Sequence, residues 1–308
     1  MVKKQPHGDY VTKKCVLYKS GGMVYHIYTG TETRSQVNNP KGEKIMNKNT
    51  CTRKNLGKGE IAVYENGNIR LHAYRTNDPM NDEVFIMEKD GRAVVLESPC
   101  FKDNIEELTE YLSDLEVVGM LVAYHGAGAT FLPDVPKYAT ANAVEYSENG
   151  GGKALIDNFT KAFGESFDNT VHKITNVIHE GRLTLGGIDF EINETHEAFD
   201  IGIPELNAVY THMMGHDCHS IVAGPAHADA IISTLKGFIS RGFSLILTSH
   251  YTPEDLKDAE TKIAYLEELK KIAAICSDRE SFRKAVSEKY PEYAGANYLD
   301  MTAGFFFA

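Results

Sequence analysis

No apolar run among the 308 residues approaches the roughly 20 that a membrane span requires. The polar opening, residues 1–6 (MVKKQP), lacks the apolar stretch of a secretory signal. A cytoplasmic protein with no membrane partner is therefore expected. The chain also has no C-x-x-C pair. Its five cysteines, Cys15, Cys51, Cys100, Cys218 and Cys276, are odd in number and scattered, which excludes a disulfide framework or a zinc ribbon and predicts reduced thiols. Basic charge is scarce too. A formal net charge of -11 argues against nucleic acid as a partner, because phosphate contacts need clustered Lys and Arg.

What is present suits an ordinary globular protein: with 42% hydrophobic residues the chain can bury a substantial core. Charge is uneven. Residues 1–45 carry eight Lys and Arg against three Asp and Glu, and the remainder holds 24 against 40. That opening stretch is rich in Lys, Gly, Thr and Asn and poor in apolar periodicity, so it reads as an irregular basic extension, with one domain over residues 46–308. Residues 41–45 (KGEKI) can be encoded by a purine run containing a ribosome-binding sequence, so Met46 is the expected start of translation.

Short alternating segments begin at Gly59. Residues 60–65 and 69–74 flank Asn66 and Gly67, and residues 83–88 and 93–97 flank Lys89, Asp90 and Gly91, two hairpin signatures. Ile105, Leu108, Tyr111, Leu112 and Leu115 fall at helical spacing behind Asp103 and Asn104 as caps. Residues 117–124 form a nearly all-apolar strand ending at His125. Beyond it, residues 138–146 read as a strand, 153–163 as a helix and 174–178 as a strand. Residues 182–185 and 188–192 make a hairpin over Gly186 and Gly187, and residues 208–213 form a buried strand.

Ile231, Leu235, Phe238 and Ile239 give a helical stripe ended at Gly242, and residues 243–248 an apolar strand that delivers His250. Thr252 as cap, Pro253 and Asp255 predict the start of the next helix, and Ser277 with Glu280 a capping box before a last helix from Arg279. The final stretch, ending in three phenylalanines, is expected to dock on the core. Hairpins interspersed with amphipathic helices predict an α+β fold, two sheets with helices outside, as an αββα sandwich.

This order of elements, with its Lys-Asp-Gly turn, its apolar strand ending in His, its Leu-Gly-Gly hairpin and its strand ending in Ser-His, resembles the metallo-β-lactamase fold superfamily. The strongest stretches are residues 82–125, 181–195 and 245–265. The resemblance implies a small-molecule hydrolase using one or two divalent metals, held by a His-x-His-x-Asp-His loop, a further His, a bridging Asp and a last His. His125 matches the first position and His250 the last. Ala127, Ala129 and Thr130 stand where the second His, the Asp and the third His belong. Ala198 takes the place of the next His, with His196 two residues earlier, and Met213 that of the bridging Asp, with His212 adjacent.

An alanine has no lone pair to donate, and zinc needs three or four ligands, so the family's two-metal site cannot form unchanged. The surviving histidines, His125, His250, His212, His196 and His216, are the candidates for a rebuilt mononuclear site. Zinc is the expected metal, with iron or manganese as alternatives, and Asp217 or Asp200 is the candidate base. The alternative is a metal-free small-molecule-binding protein on the same fold. Iron at the same histidines would instead make a coloured, oxygen-consuming enzyme.

Other features point elsewhere. Residues 147–153 (SENGGGK) lack the spacing of a phosphate-binding loop and read as a turn. Cys218, without a base in contact, reads as an inert thiol.

Overall fold

The computed structural model describes residues 14–20, 23–29, 46–213 and 215–308. Within the opening segment, where irregular chain is expected, β1 (Lys14–Ser20) and β2 (Met23–Thr29) pair antiparallel as a two-stranded sheet of their own.

The first large sheet contains β3 (Thr52–Asn55), β4 (Glu60–Asn66), β5 (Ile69–Arg75), β6 (Glu83–Lys89), β7 (Arg92–Leu96), β8 (Glu116–Leu121), β9 (Lys137–Thr140) and β10 (Asn176–Ile178), ordered β10-β9-β8-β7-β6-β5-β4-β3. The second contains β11 (Gly181–Leu185), β12 (Ile188–Glu194), β13 (Phe199–Ile203), β14 (Ala208–Thr211), β15 (Leu245–Thr248) and β16 (Tyr251–Glu254), in that order across the sheet. The helices are α1 (Lys102–Tyr111), α2 (Ala141–Glu148), α3 (Gly151–Phe163), α4 (Pro225–Arg241), α5 (Leu256–Ile275), α6 (Arg279–Lys289) and α7 (Ala296–Phe306).

Strand alternation sorts the core into layers. Ala208, Tyr210, Leu245 and Leu247 belong to the cluster that Phe85, Val94 and Leu121 supply from the first sheet. Their neighbours Val209 and Ile246 face the other way, into a second cluster with Ile232 and Leu235 of α4, Leu266 and Leu269 of α5, Phe282 of α6 and Leu299 of α7. Two sheets face to face with helices outside are the αββα sandwich that the sequence predicts. Phe306 and Phe307 stack on Phe282, so the aromatic tail docks as expected. Among the described residues, no helix is long and apolar enough to cross a membrane.

Several local expectations are corrected. The stretch 138–146 splits at Thr140, whose side chain accepts from Ala143 N and starts α2; the cap outcompetes strand propensity there. Asn104 does not cap α1, since its amide turns inward to Tyr74 Oη and Thr76 O. Residues 251–254 continue as edge strand β16, which tolerates Pro253, and α5 is capped one turn later by the reciprocal pair Asp255 and Asp258. Asp278 and Ser281, rather than Ser277 and Glu280, make the box of α6. Strand β13, which pairs with β12 and β14, has no counterpart in the sequence reading.

Candidate metal centre

Two parallel pairs set the site. β7 runs parallel to β8, and β14 parallel to β15 with Thr211 opposite Thr248. His125 follows β8, His212 follows β14, and His250 sits in the turn between β15 and β16, so all three arrive at strand ends.

One ligand atom of each histidine lies within 4.8 Å of the others. The Nε2 atoms of His212 and His250 are 3.2 Å apart. Behind them stands Asp82, fully buried, with Oδ1 3.1 Å from His250 Nδ1 and Oδ2 3.9 Å from His125 Nδ1. His250 Nδ1 is within hydrogen-bonding distance of Asp82 Oδ1, although none of these four atoms has a well-aligned partner. Burial alone would raise the Asp82 pKa, but His125 and His250 overcome it and hold the carboxyl below its usual range. The same pairing overcomes burial at His250 and raises its pKa.

The His212 side chain is exposed to solvent, while crowding by the surrounding protein and then by His250 and His125 lowers its pKa below the ordinary imidazole value. The lowered pKa of His212 and the raised pKa of His250 favour a neutral His212 beside a protonated His250, and the two Nε2 atoms are close enough to share one hydrogen.

The backbone of His125 is fixed by Glu97. This buried residue ends the β7 segment in the left-handed region, φ 67°, a conformation costing on the order of 1–3 kcal/mol for a residue with a Cβ. Its carboxylate accepts from Tyr124 N at 2.8 Å, His125 N at 3.0 Å and Tyr210 Oη at 2.5 Å, and Tyr210 also meets Ser249 Oγ at 2.6 Å. One carboxylate therefore ties the His125 turn to the residue preceding His250.

Tyr124 stacks on His212, ring centroids 4.6 Å apart. Its hydroxyl meets Thr195 Oγ1 at 3.1 Å and Asp200 Oδ1 at 3.5 Å. Burial pushes the Asp200 carboxyl up to about 7, against the opposing hydrogen bonds from Thr211 and Tyr124.

The structure brings together three of the five predicted histidines. His196 is exposed in the turn that Thr195 N closes onto Ala198 O, outside the group. His216 is turned away by Glu254 Oε1, 2.7 Å from its Nδ1. Of the two candidate bases, Asp200 meets the hydroxyl of Tyr124, whose ring stacks on His212, whereas Asp217 is exposed and bonded to Tyr251. Ala127, Ala129 and Thr130 lie in a loop latched elsewhere: Ala129 N donates to Thr170 O, and Thr130 N and Oγ1 to Asp168 Oδ2.

Sequence reasoning missed Asp82, Glu97 and Tyr124. A local signal existed only for Tyr124, an aromatic beside the strand-end histidine.

Three nitrogens with an open side and a buried carboxylate behind the ligands match the donor set of a mononuclear divalent site. Asp82→Asn, which keeps the volume and removes the charge, should weaken zinc binding roughly 10–100-fold by competition titration. Unchanged affinity would deny Asp82 its orienting role.

No protein-family model matches the chain, and no curated protein matches it. Solved structures do. A stereoselective inverting sec-alkylsulfatase from Pseudomonas sp. aligns over 76% of this chain and 48% of its own, at 14% identity and TM-score 0.54. A metallo-β-lactamase from Erythrobacter litoralis aligns over 70% of this chain and 100% of its own, at 13% identity and TM-score 0.50. The chain thus spans about half the length of the first and all of the second. With the sheet order and outer helices already described, these likenesses define the architecture: this chain has the metallo-β-lactamase fold.

Proposed function

We propose that the protein is a hydrolase that binds one divalent metal, zinc by donor preference, through His125, His212 and His250, and acts on a small-molecule ester, lactone, amide or phosphoester. The observation that carries this reading is the convergence of the three imidazoles in front of the buried carboxylate of Asp82. A bound ion would supply Lewis acidity to water and to the substrate's electrophilic centre.

The chain's own residues supply the rest. Asp82 orients the His125 and His250 rings so that Nε2 faces the cleft. Glu97 holds the His125 turn in place. Asp200, near neutrality and hydrogen-bonded to Tyr124, is the better placed of the two acids to take and return a proton beside the histidines.

A second reading is favoured by the 3.2 Å contact between His212 and His250: the imidazoles satisfy one another in a metal-free small-molecule-binding protein. Metal content decides between them. Plasma mass spectrometry of tag-free protein should find about one equivalent of zinc, iron or manganese, the stoichiometry of a three-histidine site. A folded, metal-free protein that retains its pocket ligand after chelation would overturn the hydrolase reading.

A further inference from the structure

His212 and His250 each have a fixed point four residues downstream. Glu254 ends β16, and His216 follows Gly215; Glu254 Oε1 accepts from both the backbone N and Nδ1 of His216, each at 2.7 Å. Glu254 is buried, and His216 is half-buried. The Tyr251 ring covers Gly215 so closely that a Cβ there would lie 2.2 Å from it. From below, the buried ammonium of Lys262 donates to Gly215 O at 2.8 Å and Cys218 O at 2.7 Å.

Asp258 stands 3.7 Å from His216 but is otherwise committed. It accepts from Asp255 N as the capping partner of α5 and pairs with Lys48. The carboxylates here are spent on protein donors, and the group is a joint rather than a cation site.

We propose that the His216–Glu254 contact is a positioning staple, which locks the chain after His212 to the strand after His250 and so sets the distance between those two imidazoles. The reasoning is geometric. β14 and β15 align the histidines only up to Thr211 and Thr248. Beyond the strand ends, β15 turns back into β16, whereas the described residues after His212 belong to no named strand. Among the described residues, the Gly215–Tyr251 packing and the His216–Glu254 bonds rejoin them. Protonation of His216 is favoured foremost by its hydrogen bond to Glu254, against burial, and then by the charges of Glu254, Asp258 and Asp217, which makes the bond charge-assisted.

The role of the staple in metal binding rests on the hydrolase reading; its role in imidazole spacing does not. The experiment therefore has two readouts on the full, tag-free chain. The first is the ring resonances of 13C-histidine-labelled apo protein, and the second is titration with Co2+ followed by its visible absorption.

Glu254→Ala should shift the His212 and His250 ring signals and weaken Co2+ binding about 10-fold, with a changed visible band. Glu254→Gln keeps an acceptor and should recover most of the loss. Leu299→Ala, a cavity variant in the helical layer, controls for lowered stability and should move neither readout. If Glu254→Ala fails to fold, His216→Gln carries the same readouts. Unmoved ring signals in the apo variants would overturn the staple whatever cobalt does. Absence of Co2+ binding by the unsubstituted protein, with ring signals that still move, would overturn the metal reading and leave the staple standing.

Discussion

His212→Ala is expected to weaken divalent-metal binding at least ~100-fold without lowering the melting temperature of the metal-free protein. The proposed site has three nitrogens, and two would be too few to hold zinc tightly. Stability should be largely spared because the His212 side chain is exposed. His250→Ala should behave differently. It also strips metal, but it leaves the fully buried Asp82 with only the more distant His125 as counter-charge, 3.9 Å away. Removing one partner of a buried ion pair costs roughly 3–5 kcal/mol, so this variant should melt markedly earlier even in chelator. Calorimetry with and without zinc separates the two effects. Metal retained by His212→Ala would show that the three-histidine assignment is wrong.

The second large effect concerns Asp200. Its carboxyl is raised to about 7 in the folded protein, from an ordinary value of 3.8. Below 3.8 both folded and unfolded chains hold the proton. Between 3.8 and about 7 the unfolded chain has lost it and the folded chain keeps it, so stability falls as pH rises through that window and stays lowered above it. The cost at pH 8 is on the order of a few kcal/mol. Asp200→Asn should therefore be more stable than the unsubstituted protein at pH 8, indistinguishable from it near pH 3, and slower in turnover by about 10²-fold or more. Denaturant unfolding across pH, alongside kcat on any substrate found by screening, tests both halves. A variant that loses stability at pH 8, or that keeps full turnover, would remove Asp200 from the proposed chemistry.

The residues that announce themselves in the sequence are those tied to a periodic element. His125 and His250 were legible because each closes an apolar strand, and the hairpins at Asn66-Gly67 and Gly186-Gly187 because their turns demand those residues. His212 was legible through the resemblance, which placed it beside a lost bridging acid. Asp82 was not legible. Its position depends on Glu83 N donating to Ser249 O across the two sheets, a pairing 166 residues apart in the chain that no local pattern encodes. Glu97 was hidden for a related reason: it reads as the last residue of a strand, and only the fold reveals the left-handed backbone that aims its carboxylate at His125. Helix caps failed where two candidates stood side by side, as at Asp278 against Ser277, because the choice turns on which residue leaves helical geometry first.

Strand β16 is the outer strand of the six-stranded sheet, only four residues long, with Pro253 in its middle. Proline has no amide hydrogen to offer a neighbouring chain, and so short a rim gives an incoming strand little to register against. The border of the sheet nearest the histidines is therefore a poor template for polymerisation. The same short, proline-bearing strand that carries the chain away from His250 therefore also guards the sheet against edge-to-edge pairing.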